Sequence, residues 1–154
     1  MKDIEERLAR LEARNEVLAT IAQYSSLNDR YGAVEELLAM FREDAVLRNP
    51  SGVREGIDAI SEYYRATAVQ QDGFARHHVM NQVVTFPELD VARHEAYFLA
   101  ILGRDGESRL AFGRYDDVLK RDDGGWKFAT KVNDVTGVTT LEAGWAHGFP
   151  TAAG

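Results

Sequence analysis

The chain has 154 residues, 45% of them hydrophobic and 28% charged, with no cysteine and a formal net charge of −7. That length suits a single domain with its own core. The acidic balance speaks against nucleic acid as a partner, and the missing thiols exclude disulfides, cysteine nucleophiles and zinc–sulfur sites.

The N-terminal run MKDIEERLARLEARNE is charged throughout. No apolar run approaches the ~20 residues that span a bilayer, so a cytoplasmic protein without a membrane role is expected. Ile4, Leu8, Leu11, Val17, Leu18, Ile21 and Ala22 recur at helical spacing and predict one long amphipathic helix over 3–29. The apolar repeat is too short for a coiled coil, and Asn15 interrupts it. Gly32 breaks the pattern before a second, shorter helix over 33–41. AVLRNPSG then reads as a short strand that ends at Pro50–Gly52, and EGIDAISEYYRATAV as a third helix with Ile57, Ile60, Tyr64 and Ala68 on one side.

From Arg76 the period changes to two. RHHVMNQVVTF, VARHEAYFLAILGR, SRLAFGRYDDVLKR and GWKFATKVNDVTGV are strand-like, and PELD, RDGE and RDDGG supply turns for an antiparallel meander. Three helices followed by adjacent strands predict an α+β domain, with the helices on one face of a curved, cone-shaped sheet around one pocket. The tail from Leu141 has no periodicity and is expected to be irregular.

These segments carry a resemblance. LARLEARNEVLATIAQYSSLNDR, ELLAMFREDAVLRNP, REGIDAISEYY, RHHVMNQVV and GRYDDVLKRDDGGWKF, in that order over 4–135, resemble the SnoaL-like family of the nuclear-transport-factor-2-like superfamily. The resemblance implies a cone-shaped α+β barrel enclosing a pocket. It leaves the activity open: the superfamily includes dehydratases, dehydrochlorinases, ketosteroid isomerases, polyketide cyclases and epoxide hydrolases, and also accessory subunits of ring-hydroxylating dioxygenases.

Read alone, Asp29 is a helix-end acid beside Arg30 and would be solvated, since a helix C-terminus disfavours a carboxylate. The resemblance implies instead that it faces the pocket and orients a histidine from the first meander strand. That histidine stands four residues before an asparagine in the family, which selects His77, ahead of Asn81. Strand parity puts His77, Val79, Asn81 and Val83 on one side, and turns His78 away. Read alone, His77 is either a satisfied core histidine or a proton-transfer group, since a free imidazole titrates near ~6.5. A working dyad would bring His77 and Asp29 within roughly 2.6–3.2 Å.

The pocket wall is expected from Tyr24, Leu27 and Asn28 on the first helix, Phe41 on the second, and Tyr63 or Tyr64 on the third. The strands would add Asn81, Phe98, Phe112, Arg114, Trp126 and Phe128, with Asn133 as a hydrogen-bond donor. For each aromatic residue a place in the core is the alternative. Arg114 shares parity with Phe112 and, if inside, would need an anion, either Asp116 or a substrate carboxylate or halide.

Glu35–Glu36, Asp116–Asp117 and Asp122–Asp123 read as solvated pairs, His94 as a strand-surface residue, and His147 as part of the tail. Adjacent strand residues diverge, so His77 and His78 cannot share a metal, and neither a metal nor a cofactor is expected. The extra pocket acids of the epoxide-hydrolase and ketosteroid-isomerase branches lack counterparts, apart from Glu95. A cofactor-free lyase or isomerase acting on a small, mostly apolar organic substrate is therefore expected, with a non-catalytic ligand-binding or accessory subunit as the alternative. An apolar outer sheet face built from Met80, Val84 and Tyr97 predicts a homodimer or homotrimer.

Overall fold

The first helix, α1, runs from Lys2 to Asn28, and the spacing of its apolar residues decides what it does. Val17, Ile21, Tyr24 and Leu27 fall on one stripe and are buried, whereas Ile4, Leu8 and Leu11 are more than half exposed. Only the second half of the helix therefore packs on the domain. The computed structural model describes residues 2–30, 32–69, 73–104 and 106–146, so the expectation for His147 lies outside the described residues.

Gly32, with φ of 97°, turns the chain out of α1 into α2 (Val34–Leu38). This helix is shorter than its sequence pattern suggested, and Phe41 begins strand β1 (Phe41–Asn49) instead of closing the helix. Ser51 donates its backbone N–H to the Asn49 side chain (3.0 Å), which tightens a turn into β2 (Gly52–Glu55), a short strand not anticipated. After Gly56, α3 runs from Ile57 to Val69 and buries Ile60 and Tyr64.

The meander follows as predicted: β3 (Phe74–Glu88), β4 (Val91–Arg104), β5 (Glu107–Asp122) and β6 (Gly125–Thr140). The six strands form one sheet in the order β2-β1-β6-β5-β4-β3. Every pairing is antiparallel except β1 with β6, which is parallel. The fold is thus α+β, three helices and a mixed, mostly antiparallel sheet. No helix among the described residues is long and apolar enough to cross a membrane.

One irregularity changes which side chains face inward. Met80 pairs with Tyr97 but Val83 pairs with Glu95, so β3 carries one residue more than β4 across this step. Asn81 sits there with φ of 52°, the left-handed conformation that asparagine tolerates better than other non-glycine residues. The bulge reverses the parity. His77 and Val79 face inward before it, and Gln82, Val84 and Phe86 after it, while Asn81 and Val83 are exposed. The expected outer face is corrected accordingly: Met80 and Tyr97 are exposed, but Val84 packs on the core and Val83 takes its place outside.

Candidate active site

Asp29 immediately follows α1, and its N–H still donates to the Ser25 carbonyl (3.1 Å), so the last helical turn fixes its direction. β3 is the edge strand beside it. The Asp29 carboxylate accepts the backbone N–H of His77 at 3.1 and 3.0 Å, and its Oδ1 lies 2.6 Å from His77 Nδ1. One carboxylate therefore occupies the strand's free edge and holds the imidazole as well. Both side chains are largely buried, at 17% and 11% exposure. With the Nδ1 proton directed at Asp29, the Nε2 lone pair is left for chemistry. The Asn28 amide lies 3.4 Å from Nε2, a long contact that an incoming group can displace.

His77 lines a cavity of about 340 Å³, and Tyr24, Leu27, Asn28, Tyr63, Tyr64 and Asn133 line it too, as the sequence suggested. The Tyr24 and Tyr64 hydroxyls are 2.7 Å apart. Burial, more than any neighbour, pushes both phenols well above the ordinary tyrosine value, so they are neutral hydrogen-bond donors at physiological pH. Asn133 Oδ1 is buried with no hydrogen-bond partner among the described residues.

Several expected wall residues lie elsewhere. Phe128 is fully buried in the core against Tyr24 and Phe41, and Phe98 stacks on Tyr115 with ring centroids 4.7 Å apart. Trp126 donates its indole N–H to Glu16 (3.0 Å). Phe41 and Phe112 do not line the cavity either. Asn81 is exposed because of the bulge. Arg114 is also exposed, with its guanidinium 5.8 Å from the Tyr97 ring centre. The parity linking Arg114 to Phe112 was read on the wrong side: in β5 it is Gly113, Tyr115, Asp117 and Leu119 that are buried.

That inward row holds the largest surprise. Asp117 and His94 are wholly buried, not solvated or at the strand surface. Lys131 Nζ donates to both Asp117 oxygens, at 3.0 and 3.1 Å, and lies 3.3 Å from the Tyr115 ring centre. The Asp117 carboxylate also accepts the Val132 N–H (3.1 Å) and contacts His94 Nδ1 (3.0 Å), whose other ring nitrogen is 3.2 Å from the Gln82 amide. Burial pulls the Lys131 ammonium below its ordinary value, with Asp117 opposing the shift. This cluster does not line the cavity, and it ties β3, β4, β5 and β6 together. Among the described residues, no group of three or more His, Asp or Glu side chains converges as a metal site requires.

A family model for the SnoaL-like domain matches residues 9–132. The chain belongs to the SnoaL-like domain family. No curated protein matches it. Among solved structures it is similar to a provisionally assigned scytalone dehydratase from Novosphingobium aromaticivorans, at 25% identity and a TM-score of 0.78, covering 90% of this chain and 91% of that one. It is also similar to the hexachlorocyclohexane dehydrochlorinase LinA-type3 from Novosphingobium barchaimii, at 20% identity and a TM-score of 0.76, covering 94% and 99%. A third similar structure is the β subunit of a provisionally assigned aromatic-ring-hydroxylating dioxygenase from Novosphingobium aromaticivorans, at 18% identity and a TM-score of 0.71, covering 82% and 90%. The SnoaL-like fold is thus shared with dehydratases and dehydrochlorinases.

Proposed function

We propose that this SnoaL-like protein is a cofactor-free lyase or isomerase in which His77 is the base and Asp29 its orienting partner. The observation that carries the reading is the 2.6 Å contact between Asp29 Oδ1 and His77 Nδ1, with His77 on the wall of a cavity. A substrate in the cavity loses a proton from carbon or hydroxyl to Nε2, and Asp29 stabilises the imidazolium. Halide leaves from the neighbouring carbon with its bonding electrons, or the hydroxyl there takes up the imidazolium proton and leaves as water, or the double bond shifts and the proton returns. A neutral phenol of the Tyr24–Tyr64 pair polarises a carbonyl oxygen where the substrate has one. The sheet is taken to curl as a cone around this site, so that the substrate reacts out of bulk water.

The test is turnover of scytalone, read as dehydration, and of hexachlorocyclohexane, read as chloride release. The reading expects activity on one of them or on a close analogue, lost in His77→Ala with the fold intact. Full activity in that variant would remove the mechanism.

A second reading, a non-catalytic ligand-binding or accessory subunit, is favoured by the likeness to a dioxygenase β subunit. It expects neither His77→Ala nor Asp29→Asn to alter anything beyond stability. In either case we propose a homodimer or homotrimer through the outer sheet face, where Met80, Val83, Tyr97 and Ile101 are exposed together. Light scattering of the 17.2 kDa chain should give at least twice that mass at micromolar concentration, and a monomer would refute it.

A further inference from the structure

We infer that the cavity beside His77 takes an organic acid: an apolar or aromatic body inside, and a carboxylate held at the cavity rim by Arg30 and Arg109. The inference rests on the ligand-binding role proposed above for this cavity, but not on its being catalytic.

The protein carries 25 acidic against 18 basic side chains, so by composition a surface cavity should hold at least as many carboxylates as cations. This cavity does not. Arg30, Arg104 and Arg109 contribute to its lining, and no Asp or Glu does among the described residues. The three arginines come from separate elements: the turn after α1, the end of β4 and the start of β5. Arg104 and Arg109 stand on the two arms of one hairpin, and the fold brings Arg30 to the same cavity. Two described carboxylates that adjoin lining residues are already engaged. Asp29 holds His77, and Glu107 accepts from Arg109 Nε at 2.9 Å.

That last pair bears on the chemistry. Arg109 already donates through Nε and Nη2 to one oxygen of a carboxylate, so its guanidinium is placed to hold such a group. The pair is partly exposed, so a bound acid can share Arg109 or displace Glu107. The rest of the lining mixes apolar side chains, such as Leu27, Leu37 and Leu102, with the polar Asn28, His77 and Asn133. An anionic head with a largely apolar body fits that mixture, and a volume of about 340 Å³ suits a body of one or two rings. Arg30 and His77 line the same cavity, so an acid held there would share it with the proposed base.

The experiment is calorimetric titration of the full chain with 2-naphthoate and with its neutral isostere 2-naphthamide, at low and at moderate salt. We expect the acid to bind at least about tenfold more tightly, since charge-assisted hydrogen bonds are the strong ones. The preference should shrink with salt and fall several-fold in Arg30→Gln and Arg109→Gln, both partly exposed and checked for folding by circular dichroism. Arg93→Gln, an exposed cation outside the cavity, should keep it. Equal binding of the two probes would overturn the inference. So would a preference that survives both arginine changes, or one that vanishes only in His77→Ala, because the imidazolium would then be the attracting group. The mechanism of His77 is tested separately by turnover, so either conclusion can fail alone.

Discussion

Replacing Lys131 by methionine keeps the length and apolar bulk of the side chain but strands Asp117. The two groups are 1% and 0% exposed and 3.0 Å apart. At an effective dielectric constant of about 20, Coulomb's law gives a gross attraction of roughly 5–6 kcal/mol at that separation. Removing the ammonium also removes the cost of burying it, while Asp117 retains the Val132 N–H and His94. Breaking a buried pair from one side typically costs about 3–5 kcal/mol net, and we expect Lys131→Met to fall there. For a chain this size that is a loss of roughly 6–20 °C in Tm. Asp117→Asn should cost a similar amount, whereas the double variant buries no unpaired charge and should be well short of the sum. Because burial lowers the Lys131 pKa in the fold, the unfolded chain holds that proton more tightly. Stability of the native sequence should therefore gain from this group as pH rises toward 10.5, and the gain should be absent in Lys131→Met. Urea unfolding of the four proteins is the assay. Single-variant losses below about 1 kcal/mol, or additivity within about 0.5 kcal/mol, would refute the reasoning.

Further outcomes follow from packing and protonation. Tyr24, Tyr64 and Tyr115 have phenols pushed upward by burial, so the unfolded chain ionises first above pH 10 and the fold should lose up to about 1.4 kcal/mol per pH unit for each of them. Phenolate absorbance should show three of the six tyrosines ionising only together with alkaline unfolding; six ionising freely near pH 10 would contradict the burial. A Cβ at Gly113 would stand 2.0 Å from the Asp134 carbonyl oxygen and 2.9 Å from the Phe98 ring, so Gly113→Ala should cost at least about 1–3 kcal/mol in urea unfolding, and a neutral result would show that β5 and β6 can separate there.

Much of this was legible beforehand because periodicity reports burial. The second half of the α1 stripe, the four meander strands and the shared face of His77 and Val79 follow from spacing. Ile4, Leu8 and Leu11 have the same spacing and are exposed, whereas His77 and Asp29 meet as the resemblance implied. The failures in β3 and β6 share a cause: an added residue shifts parity without leaving a mark in an alternating pattern. The bulge at Asn81 exchanged Asn81 for Gln82 and Val84 for Val83. A second shift in β6, between Phe128 and Thr130, brought Lys131 to the buried side with Phe128, two positions that strict alternation separates. Asp117 and His94 were within reach. Asp117 alternates with Tyr115 and Leu119, and His94 with Ala92, Ala96 and Phe98, so both stood on apolar rows. Charge suggested solvation for the acid, and only the presence of Lys131 makes its burial affordable. Of the cavity's arginines, Arg104 and Arg109 flank a turn that the sequence marks, whereas nothing in the sequence brings Arg30 to them.

The central claim is that Asp29 fixes the His77 tautomer so that Nε2 is the base. Nitrogen-15 and proton NMR of the selectively labelled imidazole tests it most directly. The account predicts a neutral ring with the proton on Nδ1, strongly deshielded by the 2.6 Å contact, and an Asp29→Asn spectrum in which that signal moves upfield or exchanges away. A His77 ring that carries its neutral proton on Nε2, or that ignores Asp29→Asn, would contradict it.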